Sequence, residues 1–253
     1  MIGDKMKKRI IALILALATL LSILLLASCD ASEEEEDSKL DDPYLKLVNK
    51  SNPVDESYVP EGLTEIDKSY LAKSKQNDNL KLDSVALEAV KGMLDAMRAD
   101  GIDNVSITSA YRTYQYQENL FSAYIASERA AHPDWSDEEV KNFVLTYSAA
   151  PGTSEHQTGL CVDLITDEMV GLWNYGSETP DNPYDKGFAE TAAFDWLKEH
   201  AHEYGFILRF PENKTDITGY SYESWHYRYV GIEHAWKMHE EGITLEEYLE
   251  GDK

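Results

Sequence analysis

Two short polar clusters, far apart in the chain, constrain this sequence more than any other feature. The first is Ser154-Glu155-His156-Gln157-Thr158-Gly159-Leu160-Cys161-Val162-Asp163; the second, about sixty residues on, is Glu223-Ser224-Trp225-His226. Leu160 to Ile165 alternates as a strand does, with Leu160, Val162 and Leu164 on one face and Cys161 and Asp163 on the other. The apolar set belongs to the core, so Asp163 faces a site. Gly152 and Gly159 let the backbone bend on either side of His156. A fold that brings the clusters together gathers two imidazoles and a carboxylate from His156, Asp163 and His226. It also leaves Glu223, a carboxylate that need not bind metal. Three N/O donors plus an open position is the make-up of a catalytic zinc centre. Either cluster alone arises by chance; the two together, with their neighbours, are far more specific.

The start of the chain has a different purpose. Lys5, Lys7, Lys8 and Arg9 precede an almost wholly apolar run, Ile10 to Leu26, which ends in Leu26-Ala27-Ser28-Cys29. This is the pattern of a secretory signal with a cleavage site, and the last four residues resemble the lipobox of bacterial lipoproteins. The expectation is a signal peptide over 1–28 and lipid on Cys29. The rival reading, an uncleaved span, needs about 20 apolar residues, and this run is a little short. Residues 29–42 are polar and acidic, with Glu33 to Asp37 consecutive, and are expected to be a flexible tether. Either way the remaining domain, 43–253, is expected outside the cytoplasm and tied to a membrane.

The 253-residue chain carries a formal charge of −24. Removing residues 1–28 takes away four cations and Asp4, which leaves −27. Such a surface disfavours nucleic acid but not a peptide held by a few local cations. Once Cys29 is assigned to lipid, Cys161 is alone, so no disulfide framework is available and a hydrophobic core must hold the domain. Roughly 200 residues suffice for one such domain, and a monomer is expected.

Residues 43–80, Pro-rich and irregular, are expected to form an extended arm over the domain. Periodicity then predicts a helix over Ser84 to Arg98, with apolar positions from Val85 to Met97 and Asp83 or Ser84 as cap. A strand is predicted over Val105 to Ser109. The next helix runs to about Ala131, with Leu120, Phe121, Tyr124 and Ile125 inward, and a capping box at Ser136 opens another to Tyr147. Residues 171–187 are predicted to be a long loop. After it come a helix from Thr191 to Tyr204 closed by Gly205, a strand from Phe206 to Phe210, and a polar loop over 211–221. A strand over Trp225 to Val230 and helices over Ile232 to Glu240 and Thr244 to Leu249 complete the chain. Short strands mixed with helices, with no βαβ rhythm, give an α+β class.

Ser109-Ala110-Tyr111-Arg112, Gln117, Ser154-Glu155-His156-Gln157-Thr158-Gly159, Asp163 and Glu223-Ser224-Trp225-His226-Tyr227-Arg228-Tyr229-Val230-Gly231 together resemble the VanY-type zinc D-alanyl-D-alanine carboxypeptidases. Their pattern, Ser-x-His-x(6)-Asp followed by Glu-x-x-His, is present in order and at spacing. The resemblance covers about residues 45 to 240. It implies a small antiparallel sheet flanked by helices, as in the Hedgehog signalling domain. It also implies a zinc peptidase that takes the C-terminal D-alanine from peptidoglycan stem peptides. Carried over, His156, Asp163 and His226 are zinc ligands, Glu223 is the general base, and Arg112 stabilises an oxyanion or the substrate carboxylate. Ser154 and Gln117 are candidate donors to that carboxylate, and Tyr111 and Trp225 candidate walls of the site. The chemistry is coherent. One zinc per chain acidifies water and polarises a carbonyl, Glu223 moves the proton, and Arg112 answers the developing negative charge.

The sequence departs from the family at Cys161, where relatives usually have a small residue such as alanine. Cys161 shares a face with Asp163 and is a candidate fourth donor, although three donors plus an open position suit an enzyme better. His132, His200, His202, His234 and His239 have no ligand-like pattern; on a helix, His200 and His202 diverge. Two other functions stay open. One is an L,D-carboxypeptidase acting on tetrapeptide stems. The other is a non-catalytic, zinc-containing wall-binding lipoprotein, against which an intact Glu223 and Arg112 weigh.

Overall fold

Antiparallel pairing of four short strands builds the frame on which both clusters sit. The structure, a computed structural model, describes residues 41–167 and 187–251. The signal segment, Cys29, most of the tether and nearly all of the loop over 171–187 lie outside the described residues. The chain divides into Met1–Leu45 and Lys46–Lys253, and the architecture is that of the second unit. No helix among the described residues is long and apolar enough to cross a membrane.

The strands are β1 (Leu63–Glu65), β2 (Lys81–Asp83), β3 (Val105–Ser109), β4 (Cys161–Thr166), β5 (Phe206–Phe210) and β6 (Glu223–Tyr229). β1 and β2 form a two-stranded antiparallel sheet, and the main sheet has the order β3-β4-β6-β5, antiparallel throughout. The helices are α1 (Ser84–Ala99), α2 (Tyr114–Ala131), α3 (Asp137–Tyr147), α4 (Ala192–His200), α5 (Thr215–Thr218), α6 (Ile232–Glu241) and α7 (Leu245–Glu250). This is the expected α+β class.

α1 forms for the reasons its sequence predicts. Asp83 caps it by accepting from the N–H groups of Val85 and Ala86, and Ala86, Leu87, Val90, Met93, Leu94 and Met97 make its buried face. Burial of a large apolar side chain stabilises the fold by about 1.5–3 kcal/mol, so this face anchors the helix in the core. α3 opens with the Ser136/Glu139 capping box and α7 with that of Thr244 and Glu247.

Four expectations need correction. The arm is not featureless, because Leu63–Glu65 pairs with Lys81–Asp83. Three-residue strands are too short for alternation to reveal. The inner face of α2 is Gln117, Tyr124 and Glu128, whereas Leu120, Phe121 and Ile125 are only half-buried. Polar partners turn the helix: Gln117 donates to the Ala149 carbonyl at 2.8 Å, and Tyr147 donates to Glu128 at 3.1 Å. The helix starting after Thr191 tightens to a 3₁₀ turn over Ala201–Tyr204. The polar loop contains α5.

Gly205 closes that 3₁₀ turn at φ +80° and lets β5 begin beside β6, its carbonyl accepting from the Val230 N–H at 2.9 Å. A Cβ there would lie 2.7 Å from Tyr229 Cε2 and 3.0 Å from the Gly231 carbonyl carbon. Gly205→Ala should therefore cost about 2–4 kcal/mol, from left-handed strain plus overpacking. Urea unfolding that gives wild-type stability would show that the turn relaxes freely.

Candidate metal centre and active site

The two clusters meet where β4 pairs with β6. Asp163 lies opposite His226, and Cys161 opposite Arg228. His156 comes from a 3₁₀ turn, Glu155–Thr158, that ends at Gly159 with φ 69° and feeds β4. The Arg112 N–H bonds the His156 carbonyl, and the Asp83 N–H bonds the Gly159 carbonyl, so the strand ends around the turn fix its position. The arm adds to this: Gln157 donates to the Asp55 and Tyr58 carbonyls at 3.1 Å each.

All three expected donors are buried and converge. Asp163 Oδ1 is 2.9 Å from His226 Nδ1 and 3.3 Å from His156 Nε2. Donors arranged tetrahedrally around zinc at bonds of ~2.0–2.1 Å stand roughly 3.3 Å apart, so the set fits that ion. The far side of each ring is held. His156 Nδ1 lies 2.7 Å from the Ala110 carbonyl, which can only accept, so Nδ1 carries a proton and Nε2 faces inward to Asp163. His226 Nε2 is 2.7 Å from Glu155 Oε1, which leaves Nδ1 facing Asp163. Such outer partners set the tautomer and angle of metal-binding imidazoles.

Charge is balanced within the cluster. Burial alone would raise the pKa of Asp163, but the neighbouring His156 and Arg112 hold it well below the usual carboxylate range. Burial and Arg112 push His156 down, yet Asp163 and Cys161 raise it to about 9. The thiol of Cys161 is held below its ordinary value, against its burial, by His156 and His226. His156, Cys161 and His226 each place a donor atom within 4.8 Å of the other two. The Cys161 sulfur therefore lies close to both rings.

Around this group lies a cavity of about 560 Å³, lined by Tyr111, Arg112, Gln117, Ser154, Glu223 and Trp225 among others. Glu223 opens β6 and stands 3.7 Å from His226 Nδ1, partly exposed to the cavity. Arg112 donates through Nη2 to Asp163 Oδ2 at 2.9 Å and, through Nε and Nη2, to Ser109 Oγ at 3.1 and 2.8 Å. Its Nη1 makes a longer bond, 3.4 Å, to Gln117 Oε1. Gln117 is thus a support for Arg112, with its amide turned to Ala149, more than a group facing substrate. Register shifts beside Ser109 on β3 and between Leu208 and Phe210 flank the site. Bulges of this kind re-aim side chains.

None of the other histidines joins the group. His132 stacks on Trp135, His200 pairs with Glu203, His202 stacks on His239, and His234 bonds Tyr248.

Sequence reasoning missed the buried network behind His226. Glu155 Oε2 takes Arg209 Nε at 2.8 Å and Arg228 Nη1 at 3.2 Å; Arg209 also forks onto Glu246 at 2.8 and 2.6 Å. Burial opposes ionisation of Glu155, but Arg209 and then Arg228 overcome it and hold its pKa far down. One signal was available, since Arg209 interrupts an otherwise apolar strand, Phe206-Ile207-Leu208-Arg209-Phe210. The position of Glu155 next to His156 was another.

Glu155→Gln halves the compensation of two buried guanidiniums and weakens the hold on His226. The expected results are a loss of about 3–5 kcal/mol in stability and a 10–100-fold weaker zinc affinity. Denaturant titration and competition with a zinc chelator measure the two. Unchanged zinc affinity in the folded variant would remove Glu155 from the support of the metal site.

Comparison with known proteins gives this geometry a family. Residues 79–232 match the VanY family, described as D-alanyl-D-alanine carboxypeptidase. A D-alanyl-D-alanine carboxypeptidase of Enterococcus faecalis is 35% identical over 83% of this chain and 66% of its own length, so the chain spans about two thirds of that relative. Among solved structures, VanYB in complex with D-alanine-D-alanine is 35% identical, with a TM-score of 0.64 over 83% of this chain and 99% of that one. A point mutant of a vancomycin-resistance D,D-pentapeptidase VanY, in complex with Zn(II), is also 35% identical, with a TM-score of 0.63 over 82% and 99%. The L,D-carboxypeptidase LdcB is 32% identical, with a TM-score of 0.66 over 84% and 89%. The chain belongs to the VanY D-alanyl-D-alanine carboxypeptidase family, a family of zinc metallopeptidases.

Proposed function

We propose that this chain is a zinc-dependent carboxypeptidase that removes the C-terminal D-alanine from peptidoglycan stem peptides. The observation that carries the proposal is Glu223. It is a carboxylate at the cavity edge, 3.7 Å from the inward nitrogen of His226 and outside the His156/Asp163/His226 set. A centre built only to hold metal has no use for a base in that position.

When bound to His156, Asp163 and His226, zinc supplies Lewis acidity for water activation and carbonyl polarisation. Glu223 then takes the proton of the attacking water and returns it to the leaving amine. Arg112, fixed on Ser109 and Asp163, brings a charged donor to the oxyanion or the terminal carboxylate. Its Nη1, the arm with the longest of these bonds, is the one best placed to turn to substrate. Ser154, Tyr111 and Trp225 shape the pocket, and Gln117 keeps Arg112 in place. In a chain of charge −24, this guanidinium is a local attraction for an anionic peptide end.

The same proposal covers location. Residues 1–28 act as a lipoprotein signal, Cys29 carries lipid, 29–42 tether, and 43–253 form a monomeric peptidase at the outer face of the membrane. Palmitate labelling of the expressed chain, lost in Cys29→Ala, tests the anchor. A second reading, an L,D-carboxypeptidase on tetrapeptide stems, is favoured by the likeness to LdcB.

Incubation with penta- and tetrapeptide muropeptides, followed by mass analysis, decides between them. Loss of one alanine from the pentapeptide is expected. Loss from the tetrapeptide alone would move the assignment to L,D-cleavage, and no cleavage of either would leave a wall-binding protein. Glu223→Ala should keep one zinc per chain and lose nearly all turnover; wild-type kcat in that variant would require another base. Arg112→Ala should lose about 2–4 kcal/mol of transition-state stabilisation, with zinc retained, and Arg112→Lys less, since lysine lacks the planar fork but keeps the charge. A fall in kcat at constant KM would assign Arg112 to the oxyanion, and a rise in KM alone to the carboxylate.

A further inference from the structure

Tyr220 is a buried phenol on the wall of the cavity, and the proposed mechanism leaves it unused. It lies between the end of α5 and the start of β6. Contacts from several segments hold it there. Lys50 of the arm donates to the carbonyls of Leu145, at 2.7 Å, and Gly219, with its ammonium 4.5 Å from the centre of the Tyr220 ring. The Ser221 N–H donates to the Thr146 carbonyl at 3.2 Å. Phe210 lies against the phenol at 4.9 Å between ring centres and is itself 5.0 Å from the His226 ring. The Tyr220 hydroxyl donates to the Thr153 carbonyl at 3.3 Å. A phenol has one proton to give and a carbonyl can only accept, so what Tyr220 still offers is the lone pairs of its oxygen. Burial pushes its pKa up to about 12, and the Glu223 carboxylate adds to the rise, so the hydroxyl stays neutral. Thr153 precedes Ser154, the candidate donor to the substrate carboxylate, and Glu223 is the group that returns a proton to the leaving nitrogen. All four residues line the one cavity.

We propose that the Tyr220 hydroxyl oxygen accepts a hydrogen bond from the N–H of the scissile amide and so orients the leaving nitrogen toward Glu223. The inference rests on the carboxypeptidase reading and adds a substrate contact to it. It holds for D,D- and L,D-cleavage alike, since both break an amide that carries one N–H. As the carbon becomes tetrahedral, a fixed N–H turns the nitrogen's developing lone pair to the proton that Glu223 returns. The contact also sets a requirement on the substrate. An ester or an N-alkylated link has no N–H and forfeits the bond.

The test uses two tetrahedral-phosphorus mimics of the stem peptide that the wild type cleaves, penta- or tetrapeptide. One is a phosphonamidate, which keeps the N–H; the other is the phosphonate, with oxygen in its place. Calorimetry measures the binding of each to the zinc-loaded full-length chain, as wild type and as Tyr220→Phe. The substitution keeps the ring and its Lys50 and Phe210 contacts and removes one long hydrogen bond, so fold and zinc content should be retained. Wild type should bind the phosphonamidate at least about tenfold more tightly than the phosphonate, and that preference should shrink about three- to tenfold in the variant. Equal weakening of both mimics would make Tyr220 a structural residue and overturn the inference. So would a wild type that binds the two alike, or a variant that keeps the full preference. In all three cases the peptidase reading stands, whereas a wild type that cleaves no stem peptide would remove that reading and this one with it. Should Tyr220→Phe not fold, by far-ultraviolet circular dichroism, the wild-type complex decides by nuclear magnetic resonance. A nuclear Overhauser contact between the phosphonamidate N–H and the Tyr220 ring protons is expected, and its absence would overturn the inference.

Discussion

The Glu155 carboxylate, buried between the guanidiniums of Arg209 and Arg228 and the ring of His226, is the interaction on which the rest of the structure depends. Ionised groups of this kind are costly to remove from water and are tolerated inside only when each is paired and hydrogen-bonded. Here the pairing is extensive. Arg209 continues to Glu246, Glu246 accepts from Asn49, and Arg228 reaches the Lys46 and Tyr229 carbonyls. The start of the arm, the last helix, the central sheet and His226 are therefore joined through buried charge. The network draws its partners from segments distant in the chain, so it forms only when those segments have come together.

The sheet acts as the ruler for the chemistry. Alternation along β4 sends Val162 and Leu164 to the core and Cys161 and Asp163 to the donor group. A slip of one residue would exchange the two sets, and the buried apolar face opposes that slip. β6 carries Glu223 at its half-buried start and His226 and Arg228 within its buried stretch. One strand thus supplies a proton-handling candidate, a donor and a structural cation, in order of increasing burial. Register shifts on both outer strands bring Ser109 under Arg112 and turn Arg209 inward.

Charge is distributed unevenly. The chain is acidic overall, yet Arg112, Arg209 and Arg228 gather around the site. Two of them are consumed by Glu155, and the third leans on Asp163 while lining the cavity. An anionic group therefore meets its attraction inside the pocket, against the acidic balance of the chain as a whole.

By itself the sequence determined the class, the helix caps and the two polar clusters proposed to carry the chemistry. These are local matters: periodicity marks α1, capping boxes mark α3 and α7, and the residue types and spacing of His156, Asp163, Glu223 and His226 single them out before any fold is known. Tertiary structure decided what depends on partners distant in the chain. β1 and β2 are too short to signal themselves and exist because they pair with each other. α2 turns Gln117 and Glu128 inward because Ala149 and Tyr147 wait there, and helix periodicity scores such polar residues as surface. Glu155 and Arg209, fifty-four positions apart, look like ordinary surface charges until folding removes water from between them. The orientation of the two imidazoles, each fixed by a hydrogen bond on its far nitrogen, is set only by that closure, since neither Ala110 nor Glu155 is positioned until the strands have paired.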